Sequence, residues 1–469
     1  MPSTSPAPSR VLTVAALGAG VAFVDATIVN VAFPDIGRDF PGVSLDTLSW
    51  VLNAYNIVFA ALLLPAGRLA DVLGRRRMFT IGVLLFTLAS GLCAVAPTLP
   101  VLIGARVLQA VGSAILVPAS MALVVQAYQR TSPARGIALW SAIAALAAGL
   151  GPSLGGLLVE VDGWRLAFLV NLPIGALVLA LTRGSIPESR GTDRRLPDLV
   201  ASGLMALSTA SLTLGIVEGS DWGWDSPAVL GSWVAAVVLG LLVVVRGRGR
   251  GRVALIDPQL VRVRSTAVAN VLTVVGAAGF YGYILVNVLF LTTMWHWSVL
   301  DAGLALTPGP IVAAAVAGPA GRVAERVGAF PVIAAGALLW AAGIAVLVTA
   351  VGTTPDLLGE WVPAMLFLGV GAGTCFPVIG GAAVADVDAA RYATATGLNS
   401  IARQLGAVIG VAVVVAIIGV PTTPTAAAAA FDHAWEFAAG CFVLVALGSP
   451  GLRVRRARAA ARRRGLAEA

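Results

Sequence analysis

The chain has 469 residues, of which 58% are hydrophobic and only 12% charged, with a formal net charge of +8. A soluble domain is about a quarter charged, so the composition excludes a water-soluble globular protein. Long apolar runs, in place of alternating segments of about ten residues, exclude a membrane β-barrel and predict an all-α integral membrane protein.

Fourteen spans are expected, at roughly 11–33, 47–66, 78–97, 100–125, 136–159, 165–182, 198–217, 228–245, 266–292, 302–320, 330–350, 359–383, 393–419 and 434–450. Each is near the twenty or so residues that cross a bilayer. Span one is long, carries Asp25 and lacks a small-residue cleavage site, so it reads as a retained span and not as a signal peptide. After span two comes "GRLADVLGRRRMF" (67–79), and after span ten "GRVAERVGAF" (321–330). Gly67, Asp71, Gly74 and Arg75 open the first version; Gly321, Arg322, Glu325 and Gly328 form the second. The repeat predicts two six-helix halves, 1–190 and 265–452, with an inserted helix pair and its linkers at 191–264 and a basic tail at 453–469. Gly67 and Gly74 suit a tight turn between helix ends, and Asp71 suits a facing Arg or a helix dipole. Such a loop serves either as a charged latch at the helix seam or as a topogenic anchor. An anchor alone needs neither Asp71 nor the glycines.

All 31 basic residues are Arg. With the N-terminus inside, only Arg38 and Arg165 fall in outer loops and only Arg106 and Arg403 within spans; the other 27 lie in inner segments. The positive-inside rule then places both termini in the cytoplasm. A charge so distributed belongs to a lipid-facing topology, and the basic tail is a solvated or lipid-facing end, not a nucleic-acid site. Trp50, Trp164, Trp222, Trp224, Trp295, Trp297, Trp361 and Trp435 fall at outer ends, where an interfacial belt is expected. Cys93, Cys375 and Cys441 lie in apolar segments and read as packing residues. The Arg-only, Ala- and Gly-rich composition hints at a high-GC bacterial genome, hence a multi-pass protein of the cell membrane.

Ionisable groups inside a bilayer are costly and usually functional. Asp25 lies roughly 13 Å from the outer end of span one and Arg106 roughly 9 Å from that of span four, depths that let them face each other. Burial disfavours a charge on Asp25 and Arg106 favours it, so a substrate or helix movement that tips the balance lets Asp25 take or release a proton. A static ion pair is the alternative. Polar residues follow helical spacing around them: Ser49, Asn53 and Asn56 in span two; Arg106, Gln109 and Ser113 in span four; Thr396, Asn399 and Arg403 in span thirteen; Tyr283 and Asn287 in span nine. One stripe alone can be helix glue; four, two per half, predict a shared wet cavity. In span five, "AALAAGLGPSLGGLLVE" spaces Gly151 with Gly155 and Pro152 with Gly156 four apart, a smooth face with a Pro bend.

Gly151-Pro152-Ser153-Leu154-Gly155 fits G-x-S-x-G in form. A nucleophile elbow needs a strand, a turn and a His, and the two histidines, His296 and His433, lie near outer boundaries. They exclude an H-E-x-x-H metal site, and the absence of Lys excludes a P-loop lysine. No enzyme activity, cofactor or metal is expected.

Taken together the motifs resemble the major facilitator superfamily, specifically its fourteen-span drug:proton antiporter branch. The resemblance covers nearly the whole chain. "FVDATIVNVAFPDI" looks like that branch's first-span motif, carrying Asp25. "GRLADVLGRRR" looks like its loop 2–3 motif, "LIGARVLQAVGSA" its span-four motif with Arg106 and Gln109, and "AGLGPSLGG" its span-five antiporter motif with Gly151, Pro152, Gly155 and Gly156. "GWRLAFLVNLPIG" is a familiar continuation. Val72 stands where an Arg is common and Ala110 where a Gly is common. The resemblance implies alternating access between two bundles, with export of a small lipophilic drug or antibiotic driven by inward proton flow and Asp25 as proton carrier. Exporters of dications in the branch often carry an extra deep acid. Here Glu218, Asp221, Asp225 and Asp301 all sit at outer ends, so a neutral or monocationic substrate is expected. Uptake of a nutrient, or uncoupled efflux, is the second transport reading; it requires that removing Asp25 leave transport intact.

Overall fold

The computed structural model describes residues 7–129, 133–189, 198–247, 260, 262–387, 392–419 and 423–452. The basic tail, most of the linker arginines, and Arg130 and Arg391 therefore lie outside the described residues. The N-terminal half runs α1 (Pro8–Asp39), α2 (Leu45–Leu73), α3 (Arg75–Ala94), α4 (Leu99–Ala127), α5 (Pro133–Asp162), α6 (Trp164–Leu169) and α7 (Asn171–Ser185). Next come α8 (Leu199–Val217), the short α9 (Gly219–Trp222) and α10 (Pro227–Gly247). The C-terminal half follows as α11 (Arg264–Thr293), α12 (Val299–Leu306), α13 (Pro308–Val327), α14 (Ala329–Ala350), α15 (Val362–Val384), α16 (Tyr392–Ile418) and α17 (Pro424–Gly448).

Among the described residues, 13 helical segments are long and apolar enough to cross a membrane. The 30-residue α5 packs along α1 in addition; part of its side chains lie outside the described residues. Two expected spans are broken: the sixth into α6 and α7, and the tenth into α12 and α13. The second break falls at Pro308, which lacks the N–H that would continue the ladder.

The repeat is visible in the packing. The contacts of α1 with α5, α2 with α4, α3 with α4 and α3 with α7 recur as α11 with α16, α13 with α15, α14 with α15 and α14 with α17. Between the halves, α8 lies against both α2 and α16, and α10 packs on α8. Asp198 caps the start of α8 through the Ala201 N–H and binds Arg246 at the end of α10 at 2.7 Å.

The two ends of the molecule differ. At the end away from the Gly-Arg motifs, the halves interlock: a methyl on Gly156 would meet Leu300 Cα at 2.7 Å, and one on Gly303 would collide with the Pro152 carbonyl. The Ser153 and Thr307 hydroxyls hydrogen-bond across the same seam. One apolar cluster there joins Val29–Ile36 of α1 with Leu285–Leu291 of α11, Trp295, Trp361 and Trp435. At the Gly-Arg end the N-terminal half has its own core, and in α13 only Gly309 and Ala320 are buried. The halves thus share an apolar core at the end away from the Gly-Arg motifs and have separate cores toward them.

Two expectations are corrected. The Gly-Arg motifs are not loops but the last turns of α2 and α13. Gly67 is helical and rests against Pro118, while Gly74 (φ +117°) and Gly328 (φ +98°) alone make the turns. Both conformations are ones that only glycine adopts freely. The tryptophans do not form a belt: Trp164, Trp361 and Trp435 are fully buried, whereas Trp222 and Trp224 are exposed. Each buried indole N–H has found an acceptor inside the protein, namely Asp39, the Ala305 carbonyl and Asn287, so the ring can leave the membrane interface.

Candidate functional site

The site is built at the middle of the N-terminal half, where α1, α3, α4 and α7 meet. Asp25 and Arg106 touch: the Arg106 Nη1 donates to Asp25 Oδ2 at 2.7 Å, with both side chains no more than 1% exposed. Gln109, one turn along α4, donates from Nε2 to Asp25 Oδ1 at 2.8 Å and accepts from Arg106 Nη1 at 2.5 Å. Asn171, at the start of α7, donates to Asp25 Oδ1 at 3.1 Å. Ser90 of α3 accepts from both Gln109 (2.6 Å) and Asn171 (3.0 Å). Arg106 Nε donates to the Val51 carbonyl at 3.2 Å, and the guanidinium lies 4.1 Å from the Tyr55 ring centroid and 5.7 Å from that of Phe168.

The helix break before Asn171 and the spacing of Arg106 and Gln109 place these groups. Residues three apart on α4 share a face, and the α6–α7 break aims Asn171 inward from a helix start. The result is a carboxylate that receives three N–H donors and meets no hydrogen-bond acceptor among the described residues. This is the arrangement that suits a carboxylate, an acceptor-only group. A proton on Asp25 would find no acceptor among the described residues. The hydrogen bonds on Asp25 thus tie α1 to α4 and α7.

Other sequence-predicted residues are placed differently. Ser113 is buried and accepts from the Tyr55 hydroxyl at 2.8 Å. Asn53 is buried, donates to Ser49 at 3.3 Å and leaves its Oδ1 without a partner. Asn399 donates to Asn270 (3.0 Å) and Thr273 (2.7 Å), tying α16 to α11. Asn287 accepts from Trp435 Nε1 at 2.8 Å, and the Tyr283 hydroxyl donates to the Met365 sulfur at 3.1 Å. These stripes are helix contacts and not one cavity wall. Asn56 is half-buried and Arg403 exposed, and neither has a hydrogen bond among the described residues. In α5, Gly151 and Gly155 lie against Thr27 and Ile28 of α1, while Pro152 and Gly156 meet α12. The motif thus has two smooth faces, one for each half.

At the Gly-Arg end of α2, Arg75 binds Asp71 through Nε (2.9 Å) and Nη2 (2.8 Å) and reaches Gln126 of α4. Glu188 accepts from the Arg76 and Arg77 backbone N–H groups, both at 3.1 Å, and so caps α3. This network closes within the N-terminal half. In the second copy, Arg322 and Glu325 are exposed and form no ion pair among the described residues, and a methyl on Gly321 would meet nothing within 4 Å.

Sequence reasoning missed Ser90, Asn171, Tyr55 and Glu188. Asn171 carried a usable signal, a lone amide in the apolar sixth span; Ser90 carried none.

The Major Facilitator Superfamily model matches residues 15–411, with a second match over 269–463. The multidrug resistance protein Stp of Mycobacterium tuberculosis is 36% identical over 416 residues, covering 87% of this chain and 76% of that one. The methylenomycin A resistance protein of Streptomyces coelicolor is 33% identical over 409 residues, covering 86% and 84%. Among solved structures, a POT family transporter superposes with a TM-score of 0.68 at 14% identity, covering 97% of this chain and 98% of that one. The xylose transporter XylE of E. coli does so with 0.62 at 14%, covering 94% and 96%.

Proposed function

The chain belongs to the Major Facilitator Superfamily, and from that premise we propose that it is a proton-coupled antiporter that exports a small lipophilic drug or antibiotic, with Asp25 as the proton carrier. It is a multi-pass membrane transporter and not an enzyme. The names of its relatives, multidrug and antibiotic resistance proteins, support the substrate class. The fourteen-span arrangement fits the 13 segments together with α5. The Gly-Arg end is the cytoplasmic one, as the arginine distribution favours, and substrate enters there.

One observation carries the coupling. Asp25 is fully buried between four helices and held only by donors. A proton arriving from the opposite face displaces a donor and loosens α4 or α7 from α1; closing the Gly-Arg end restores the donor and expels the proton. The Pro152–Gly156 face of α5 and Gly303 of α12 let the two backbones meet closely at the end away from the Gly-Arg motifs, where the halves pivot.

The test uses the full chain in proteoliposomes with a pH dye inside. Addition of ethidium, rhodamine and an aromatic acid in turn should drive counter-movement of protons in wild type and none in Asp25→Asn. Substrate flux with unchanged proton movement in Asp25→Asn would sink Asp25 as the carrier, and substrate flux without proton movement in wild type would favour the uncoupled reading.

A further inference from the structure

Arg403 is the second arginine inside a span, and unlike Arg106 it has no counter-ion among the described residues. It lies eleven residues into α16, roughly 16 Å from the start at the helical rise, too deep to snorkel readily to that helix end. Among the described residues it makes no ion pair or hydrogen bond, and it is exposed in a helix that carries no other charge. Such a charge is costly to keep and usually functional.

The direction it faces follows from its neighbours. Ile401 and Leu405 of α16 pack with Ala201 and Met205 of α8; two residues along a helix turn the side chain by about 200°, so Arg403 points away from α8. Thr396, Arg403 and Gly410 are seven apart and form one stripe. Gly410 is closed against Ala278 of α11, while Thr396 and Arg403 are exposed. The stripe thus opens toward the Gly-Arg end, along the edge of α16 that borders α11. Tyr281 of α11 is half-buried beside it, close enough for the guanidinium's charge to act on the phenol.

Among the described residues no carboxylate pairs with this cation. Helices α8, α11, α15 and α16 contain no acidic residue, and Asp386 before α16 and Asp432 and Glu436 of α17, which also touches α16, form no ion pair with Arg403. On α2, Asp71 is held by Arg75 and Asp46 lies at the opposite end; Asp198, at the foot of α8, is held by Arg246. Asp25 is enclosed by its own donors.

We infer that Arg403 is a recognition site for an acidic group, so that the exported molecule is a lipophilic acid that presents a carboxylate or acidic enolate to the Arg403 guanidinium beside Tyr281. This replaces the neutral or monocationic substrate expected from the missing deep acid. Arg403 is the one arginine in the middle of a span that has no ion pair among the described residues. Guanidinium and carboxylate pair through charge-assisted, bidentate hydrogen bonds.

The inference rests on the transport reading and is tested apart from it, by equilibrium binding to the purified full chain. The probes are pyrenebutyrate, its methyl ester and pyrenemethylammonium, which share one apolar body and differ in charge. Wild type should bind the acid about tenfold more tightly than the ester, the scale of one charge-assisted contact. Arg403→Gln should abolish that preference and Arg403→Lys retain part of it, each at a melting midpoint matched to wild type. If Arg403→Gln does not fold, the Lys variant and the wild-type probe ranking decide. A wild type that fails to bind the acid, prefers the ester or the cation, or keeps its acid preference in Arg403→Gln overturns the inference. Arg403-dependent binding of the acid without flux into vesicles would remove the transport reading alone. Flux of the cation without any acid preference would remove only this one.

Discussion

Between α1, α3, α4 and α7 the N-terminal half holds Asp25, Ser90, Arg106, Gln109 and Asn171 in one hydrogen-bonded knot. The corresponding helices of the C-terminal half, α11, α14, α15 and α17, hold Phe280, Trp340, Phe376 and Phe442. There Trp340 stacks on Phe442 with ring centroids 3.8 Å apart, and Phe280 meets Phe376 edge-on at 5.3 Å. One backbone plan therefore carries two kinds of centre. An aromatic stack has no charge to change and holds its helices at fixed spacing. A polar knot has two protonation states with different hydrogen-bond needs. On the proposed coupling, the C-terminal half is a stiff partner and the N-terminal half holds the group that takes the proton.

The largest effect expected from breaking this contrast is at Arg106. Arg106→Met leaves the Asp25 charge buried with its counter-ion gone, a loss of about 3–5 kcal/mol, read as a fall in melting midpoint with abolished transport. The double variant Asp25→Asn with Arg106→Met removes both charges and should recover most of that stability while transport stays absent. Asn171→Leu comes next, because it deprives Asp25 and Ser90 of a buried donor at about 1–3 kcal/mol and should shift the pH dependence of transport. On the other side of the comparison, Phe442→Leu keeps the site apolar but loses buried volume and the stack on Trp340, at about 1–2 kcal/mol. It should leave the number of protons moved per substrate unchanged.

The smallest expected effect distinguishes the two Gly-Arg copies. Alanine at either turn is strained by its positive φ. At Gly74 the new methyl would also stand 2.7 Å from the Glu188 carboxylate that caps α3, whereas at Gly328 it meets nothing within 4 Å. Gly74→Ala should therefore be the more destabilising by about 1 kcal/mol, the usual size of a lost cap. Equal losses in the two variants would mean that the Glu188 cap contributes nothing.

Composition and hydropathy made the helical architecture legible, and the wide separation of Gly67 and Gly321 in matching motifs exposed the two halves. Asp25, Arg106 and Gln109 stood out because ionisable or amide groups at similar depth in apolar spans have few uses. What stayed hidden depended on which face meets which. Ser90 is an ordinary small polar residue until α4 is laid against α3, and Asn171 points inward only because the sixth span breaks before it. The Trp and Asn stripes misled for a related reason. Helical spacing says that Asn287 and Asn399 share a face with their neighbours, but not that Trp435 or Asn270 waits across that face.

If Asp25 carries the coupled proton, its carboxyl must change protonation when substrate binds. Infrared difference spectroscopy of the reconstituted full chain, with and without a transported substrate, reads carboxyl and carboxylate bands directly. A protonation signal on substrate addition is expected in wild type and should be absent from Asp25→Asn. A signal of equal size in both proteins would place the proton elsewhere, and a wild type that transports with no carboxyl change would leave the knot a purely structural ion pair.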